Sequence, residues 1–430
     1  MTKQILLNIL LIVAGICKAQ VHDDVSETKE IYQPWQEGYL DIHHIHTGGG
    51  DAAFFIFPDG TTMLFDAGDM DVNQFNEKWA PLRAADPYPN DSISAGERIA
   101  RYIKEVFPKD LELKIDYALI SHFHSDHYGN VKETSRLSQS GDYKLTGITQ
   151  VDALIPIDKI IDRNYPDYNY PVDLGSYYKN NPTFLNYLSF IDYKVNKQGS
   201  EAAILEAGSR DQISLKRHPE RYQSFFVRNV KVNGDIWTGQ ADSAFTYLKR
   251  DSLLNSNGNF NENPLSLALK ISYGNFDYFT GGDMTGLQGY GQPGWFDVET
   301  PVSKAVGKVE VTTLNHHGNR DATNENFVAN LAPRVIVQQS WCSDHPGMEV
   351  FHRLTSKDLY TGPRDIFSTY IHDETKVTFG PWFTKAYNSM KGHIVVRVEP
   401  GSERYYVYIL DDTKPKLYIK NIFGPYETTE

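Results

Sequence analysis

Cysteine is nearly absent from this sequence, whose 430 residues include only Cys17 and Cys342. Cys17 falls in an N-terminal segment that we interpret below as a signal sequence, so the mature chain would keep a single cysteine. A single cysteine excludes an internal disulfide, even in the oxidising compartment that a secreted protein enters. Stability must therefore come from the hydrophobic core and from any bound metal.

Long apolar runs are also absent, except at the N-terminus. The stretch Ile5–Ile16 is apolar but too short to span a membrane comfortably. It follows Lys3 and precedes the small residue Ala19, an order that is typical of a secretory signal peptide. We expect residues 1–19 to be cleaved near Ala19 and the mature protein to be secreted or periplasmic, with no membrane span.

Basic residues are fewer than acidic ones. The chain has 42 Lys and Arg and 55 Asp and Glu, and its net charge is −13. Cleavage removes Lys3 and Lys18 and no acidic residue, which changes the net charge to −15. An acidic body repels polyanions, so tight binding of long duplex nucleic acid is not expected. Internal repeats, low-complexity tracts and interdomain linkers are missing too, which favours one large domain.

The strongest functional signal is the stretch Asp116–Asn130, DYALISHFHSDHYGN. The apolar run Ile115–Ile120 predicts a buried strand, and Gly129 marks the end of the loop that follows it. Imidazole nitrogens and carboxylate oxygens together are ligands that zinc accepts. Four such side chains lie within six residues of this loop: His122, His124, Asp126 and His127. The sequence therefore predicts a metal site at the end of this strand.

Polar residues also follow other predicted strands, one at the end of each. An early strand ends at Asp66, which we expect to support the metal loop through hydrogen bonds. Later strands end near Asp283, near the pair His316 and His317, and near His345. Single polar side chains at the ends of several apolar strands predict one shared site.

The remaining segments were assigned by composition. Residues 20–38 are expected to form a polar N-terminal arm and residues 411–430 a polar C-terminal tail. Residues 132–228 are rich in Tyr, Asn and Pro, and we interpret them as an insertion that covers one edge of the sheet. The alternative is that its tyrosines contact substrate. The main domain is expected to extend over residues 39–410.

Taken in order, several of these segments resemble the metallo-β-lactamase superfamily. They are Asp66-Ala67-Gly68, the HxHxDH motif of residues 122–127, Gly282-Asp283 and His316-His317-Gly318. Further segments narrow the resemblance to the soluble hydrolase domain of the competence protein ComEC and its free-standing relatives: Gly49-Gly50-Asp51-Ala52, Asn263, Ser266 and His345-Pro346. The resemblance implies an α/β (α+β) fold, an αββα sandwich of two mixed sheets flanked by helices, with the Tyr-rich region inserted.

The resemblance also implies a metal centre with two ions, zinc being expected, with manganese or iron as alternatives. His122 and His124 would hold the first ion, and Asp126 and His127 the second. Asp283 would bridge the two, and His317 would complete the second site. Four further residues would support the site or contact substrate: Asp66, His316, His345 and Asn263.

The first metal site has an open question of its own. Many members of the superfamily supply a further histidine between HxHxDH and the bridging aspartate, and this chain has only His218 there. Water or His345 could complete the site instead. A separate group, His43, His44 and His46, is expected to be structural, with a ligand or substrate contact as the alternative.

The implied activity is that of a secreted hydrolase in which a metal-bridging hydroxide attacks a phosphodiester or phosphate ester. Asp126, Asp283 and His317 would form the core of its catalytic site, and the substrate would be a small molecule or phosphoester. One alternative is that the same centre hydrolyses a carbon ester, a lactone or a β-lactam amide. Another is a non-catalytic surface protein that binds through the Tyr-rich region.

Overall fold

The computed structural model describes residues 30–87, 90, 92–287, 289 and 291–429. The predicted signal peptide, with Cys17, lies outside the described residues. Residues Ile31–Glu430 form one compact unit. Among the described helices, none has both the length and the apolar character needed to span a membrane.

The described residues form eighteen strands. The first nine are β1 (Leu40–His44), β2 (Ala53–Ile56), β3 (Thr62–Phe65), β4 (Ile115–Leu119), β5 (Ile157–Asp162), β6 (Glu201–Ile204), β7 (Phe225–Val232), β8 (Asp235–Trp237) and β9 (Ala244–Thr246). The others are β10 (Ala268–Tyr273), β11 (Phe276–Gly281), β12 (Val311–Thr313), β13 (Val335–Gln338), β14 (Asp365–Ser368), β15 (Tyr387–Ser389), β16 (His393–Val398), β17 (Arg404–Leu410) and β18 (Ile419–Glu427).

The α-helices lie mostly in the connections between these strands. They are α1 (Val72–Lys78), α2 (Ala95–Val106), α3 (Ser125–Tyr128), α4 (Gly147–Leu154), α5 (Leu174–Tyr177), α6 (Pro182–Asp192), α7 (Glu299–Val306), α8 (Glu325–Leu331), α9 (Met348–Thr355), α10 (Asp373–Phe379) and α11 (Pro381–Thr384). Helix α2 begins directly after Ser94, whose hydroxyl accepts a hydrogen bond from the backbone N–H of Glu97. Its apolar stripe is buried, as the periodicity of the sequence indicates.

The strands assemble into two sheets of nine. The first has the order β18-β17-β16-β1-β2-β3-β4-β5-β6, and the second β15-β14-β13-β12-β11-β10-β7-β8-β9. Both are mixed: β3 to β6 are parallel in the first sheet, and β11 to β15 are parallel in the second, while the remaining pairs are antiparallel.

The two sheets pack face to face, with helices on the outside. Successive residues of β2 show the layers: Phe55 points into the core between the sheets, while Phe54 points into the core beneath α2, α4 and α6. On the far side, α7 and α8 cover the second sheet through Val302 and Phe327, and α9 extends this cover through Val350. This is the predicted αββα sandwich of two mixed sheets flanked by helices, so the predicted fold class is confirmed.

The Tyr-rich region contributes regular elements to the first sheet and its outer layer. Strands β5 and β6 extend the sheet beyond β4, and α4 and α6 cover it. Tyr168 and Tyr187 are buried there, and the Tyr187 ring lies 5.6 Å from that of Phe123 in the metal loop. These tyrosines therefore pack in the core behind the HxHxDH motif.

The C-terminal segment differs from the polar tail that the sequence suggests. Residues 419–427 form β18, the edge strand of the first sheet, which pairs antiparallel with β17. Of its nine residues only Tyr426 is buried, while Phe423 is partly buried against the core between the sheets. The composition of this segment therefore did not predict the strand that it forms.

Candidate metal centre

The predicted ligands lie where parallel strands of both sheets end. Asp66 directly follows β3, and the loop with His122 and His124 follows β4. In the second sheet, Asp283 follows β11 and His317 follows β12. Because parallel neighbours end at the same edge, these loops are brought together. The structure thus brings together residues that are up to 251 positions apart in the chain.

Two glycine-containing turns contact the backbone of the metal loop and form hydrogen bonds with it. The backbone N–H of Asp51 donates to the Asp126 carbonyl at 2.8 Å, and that of Ala67 donates to the His127 carbonyl at 2.7 Å. A Cβ atom at Gly68 would lie 1.9 Å from the Asp126 carbonyl oxygen, and one at Gly50 would lie 2.4 Å from it. These glycines are required because the backbone of the turns touches the backbone of the loop.

Gly68→Ala is therefore expected to displace Asp126. We expect the variant to lose about 1–3 kcal/mol of stability through overpacking and to bind metal more weakly. Thermal unfolding and metal analysis of the dialysed protein would measure both effects. Gly49→Ala is the matched control, since a Cβ there meets its nearest neighbour, Met70, at an ordinary 3.7 Å. Equal metal content in the two variants would contradict this account of the turn.

The first group of candidate ligands consists of His122, His124 and Asp283, whose ligand atoms all lie within 4.8 Å of one another. His122 Nε2 is 3.0 Å from His124 Nδ1 and 3.7 Å from Asp283 Oδ2. Burial lowers the pKa of His122 well below its usual value, with the neighbouring His127 adding to the effect. A neutral imidazole is the form that binds a metal ion.

The second group consists of Asp126, His127, Asp283 and His317, again within 4.8 Å of one another. His127 Nε2 lies 3.1 Å from Asp283 Oδ1, and His317 Nε2 lies 3.0 Å from Asp126 Oδ2. Asp283 belongs to both groups. The six residues that the resemblance assigns as ligands thus come together in the expected pairs.

The electrostatics of this cluster fit bound cations. Burial alone would lower the pKa of His127, but the carboxylates of Asp283, Asp126 and Asp66 outweigh it and raise that pKa well above its usual value. The pKa of His317 is likewise raised. His127 Nε2 and Asp283 Oδ1 are both buried and face each other at 3.1 Å. A buried set of imidazoles and carboxylates that attracts positive charge suits divalent metal ions.

Asp66 fixes the orientation of the metal loop. Its carboxylate accepts hydrogen bonds from the Ser121 backbone N–H and hydroxyl, both at 2.7 Å, and contacts His127 Nδ1 at 2.8 Å. With Nδ1 of His127 bonded to Asp66, Nε2 faces the other ligands. Asp66 has φ of +62°, a left-handed conformation that costs about 1–3 kcal/mol outside glycine and is found mainly at functional sites.

The pair His316 and His317 divides between two positions. Both have left-handed backbones, with φ of 48° and 56°. His317 lies in the second ligand group, where its Nδ1 is 3.1 Å from Asp51 Oδ1. His316 lies beside the group: its Nδ1 is 2.6 Å from Asp321 Oδ1, and its Nε2 is 3.8 Å from Asp283 Oδ2. The geometry therefore favours His317 as the ligand.

Neither alternative histidine completes the first group. His345 lies next to the site, its ring stacked at 5.0 Å on that of His317, but its ligand-type neighbours are Cys342 and Asp344. The side chain of His218 is 51% exposed and lies 3.5 Å from Glu220. Within the described residues, the first group thus has three members and the second has four.

The early histidines are buried and bonded to residues outside the two ligand groups. His43 Nδ1 lies 3.0 Å from the Tyr102 hydroxyl, and His44 Nδ1 lies 2.9 Å from Gln339 Oε1. His46 Nδ1 contacts Asp412 at 2.7 Å. These bonds agree with the structural role that the sequence favours for them.

Some residues of the site were not identified from the sequence. In the sequence Asp51 stands out only as part of a motif, although its side chain contacts His317 across 266 positions. Asp321, which contacts His316, has no local signal at all. Glu262 accepts from the backbone N–H of Phe123 at 3.0 Å and is bound by Arg163. Each is recognisable only after folding places it next to a histidine or the metal loop.

Comparisons with known proteins give weak matches. No family model and no curated protein matches this chain. A mutant of the β-hydroxylase CmlA matches with 12% identity and a TM-score of 0.35, covering 85% of this chain, which spans only 55% of the length of that protein.

Two further solved structures match at similar levels. Unliganded yeast PDE1 matches with 10% identity and a TM-score of 0.38, covering 84% of this chain and 99% of PDE1. Zn²⁺-bound PqqB from Methylobacterium extorquens matches with 9% identity and a TM-score of 0.31, covering 69% of this chain and 88% of PqqB.

Proposed function

We propose that this protein is a secreted, metal-dependent hydrolase that uses two metal ions, with zinc expected, to cleave phosphodiester or phosphate ester bonds. The observation that supports this best is the arrangement of two ligand groups around one shared carboxylate, Asp283. In this proposal His122 and His124 hold one ion, and Asp126, His127 and His317 hold the other. When bound, two such ions supply Lewis acidity and lower the pKa of a water molecule, which is the chemistry that ester hydrolysis needs.

The charge of the ligand set favours an anionic substrate. Only Asp126 and Asp283 are negatively charged among the six ligands, and they offset about half of the charge of two dications. The surplus positive charge would attract a phosphate ester to a protein whose overall net charge is −13. A neutral lactone gains much less from such a site.

In this proposal His316 and Asn263 would contact the substrate. His316 Nε2 faces Asp283, while its Nδ1 is held by Asp321. The Asn263 amide nitrogen lies 3.2 Å from His316 Nε2, and its buried oxygen has no hydrogen-bond partner. These polar groups border the ligand groups without belonging to them, so they would position the oxygens of the substrate.

A substrate panel tests the proposal. The protein, loaded with Zn²⁺, Mn²⁺ or Fe²⁺ in turn, would be assayed on bis(p-nitrophenyl) phosphate, p-nitrophenyl phosphate, p-nitrophenyl acetate, a lactone and nitrocefin. We expect phosphoester turnover to be fastest, to stop after chelation and to return when metal is added. A folded, metal-loaded protein that hydrolyses no phosphoester would refute the proposal, and turnover of nitrocefin or the lactone instead would identify the alternative.

The metal ligands need their own control. His122→Ala/His124→Ala should lower zinc content by one ion per chain and abolish turnover. His218→Ala removes an exposed histidine outside the ligand groups and should leave both unchanged. Unchanged zinc and unchanged activity in the double variant would exclude an enzyme that works through this centre.

A further inference from the structure

A cleft of about 650 Å³ opens beside the metal centre. His124 lies in its wall, and the same residue belongs to the first ligand group. Residues 252–255 and 259–262 line much of the cleft. The chain then continues to Asn263, whose amide lies 3.2 Å from His316. The cleft therefore adjoins the first ligand group through His124, and its volume suits a ligand of small-molecule size.

Three asparagines in the wall of this cleft use their side-chain oxygens for hydrogen bonds within the chain. The Asn255 side-chain oxygen accepts from the backbone N–H of Asn259 at 3.1 Å, and that of Asn261 accepts from the backbone N–H of Asn263 at 3.0 Å. The Asn259 oxygen accepts from the Tyr177 hydroxyl at 3.3 Å. Because the oxygens are used within the chain, the NH₂ groups remain available to a ligand with acceptor atoms.

Aromatic rings form the other part of the wall. Tyr178, Phe260 and Trp295 all line the cleft and are partly buried. The Phe260 ring is held between neighbours, with its centroid 4.9 Å from that of Tyr177 and 6.3 Å from that of Tyr178. Flat apolar faces next to amide donors suit a ligand ring that has an apolar face and polar edges.

The cleft has no positive charge of its own. None of its described lining residues is Lys or Arg. The Glu262 carboxylate in its wall is bound by Arg163 with two hydrogen bonds of 2.6 and 2.7 Å, so that charge is already compensated. The cleft therefore suits an uncharged group, and an anionic group would find its attraction only at the metal centre.

We propose that this cleft binds the uncharged, ring-bearing part of the substrate, while the phosphate ester to which it is joined lies at the metal centre. The shared chemistry is a neutral ring with oxygen acceptors, which either a nucleoside or a glycoside provides. This inference rests on the proposed phosphoester function for the placement of the phosphate. Ring binding itself depends only on the cleft.

Binding can be measured without catalysis. Calorimetry with adenosine, uridine and methyl glucoside, none of which carries a phosphate, would be run on the zinc-loaded protein. We expect one of the two ligand classes to bind, and which one it is would distinguish nucleoside from glycoside. Asn259→Ala and Trp295→Ala should each weaken that binding by roughly tenfold. Trp382→Ala, which removes an exposed tryptophan outside the cleft, is the control.

Kinetics separate this inference from the proposed function. With wild-type protein, kcat/KM for a nucleoside or glycosyl p-nitrophenyl phosphate should exceed that for methyl p-nitrophenyl phosphate, and Asn259→Ala should remove the preference through KM. Turnover of the methyl ester with no ring preference and no ring binding would overturn the cleft proposal alone. Ring binding that Trp295→Ala abolishes, without turnover of any phosphoester, would support the cleft and overturn the function.

Discussion

Replacement of Asp283 by asparagine should reduce kcat by roughly a thousandfold, which corresponds to about 4 kcal/mol of transition-state stabilisation. Asp283 is the only residue that belongs to both ligand groups among the described residues. Its Oδ1 lies 3.1 Å from His127 Nε2, and its Oδ2 lies 3.7 Å from His122 Nε2 and 3.5 Å from His317 Nε2. An amide carries no charge, and its nitrogen does not bind a metal. The binding of both metal ions should therefore be weakened together.

The effect should be chemical rather than structural. Asparagine has nearly the shape of aspartate, and the backbone N–H of residue 283 keeps its hydrogen bond to the Ser266 hydroxyl, 3.0 Å away. Circular dichroism should therefore be unchanged, while metal analysis should find fewer than two ions per chain. Asp277→Asn is the matched control, because Asp277 lies near the start of β11, the strand that Asp283 follows, and is paired with Lys270. A variant that retains wild-type metal content and kcat would exclude Asp283 as a bridge.

The ligand groups were visible in the sequence because each ligand has a local cause. HxHxDH places four ligands in one loop, and Asp283 and His317 each follow an apolar strand and adjoin a glycine. Parallel strands of a sheet end at the same edge. Residues with this pattern can therefore be predicted to lie close together without knowing any long-range contact. The αββα fold could also be predicted from the sequence, through the resemblance in the order of the motifs rather than through periodicity.

Unlike Asp66, the supporting residues Asp51 and Glu262 were not identified from the sequence, because their roles come from contacts over long sequence separations. Asp51 meets His317, and Glu262 meets the backbone of Phe123, only after two sheets have packed. The left-handed backbones of Asp66 and His316 are equally hidden, since nothing local in the sequence requires them. Composition did not predict the strand Ile419–Glu427, because most of its residues are exposed.

The second large effect concerns the buried ion pair behind the metal loop. Arg163 is fully buried, and its guanidinium donates to both carboxylate oxygens of Glu262 and to the Tyr170 carbonyl. Glu262 in turn accepts from the backbone N–H of Phe123, the residue between His122 and His124. The pair thus connects the end of β5 to the metal loop and to the wall of the cleft.

Arg163→Met should lower stability by about 3–5 kcal/mol, because it leaves the Glu262 carboxylate buried without its partner. For a unit of ~400 residues, about 4 kcal/mol corresponds to a fall of about 5 °C in Tm. The metal loop should also lose its support, so zinc affinity should fall with stability. Arg163→Met/Glu262→Gln removes the unpaired charge and should recover much of the lost Tm.

An exposed arginine–glutamate pair in the same chain provides the contrast. Arg101 contacts Glu97 on the surface of α2, and the Arg101 side chain is 64% exposed, so Arg101→Met should change stability by only about 0.3–0.5 kcal/mol. If burial is what makes the Arg163–Glu262 pair important, the double variant must be more stable than Arg163→Met alone. A double variant that is less stable than the single one would show instead that Glu262 supports the Phe123 backbone without Arg163, which would place the stabilising interaction in that hydrogen bond.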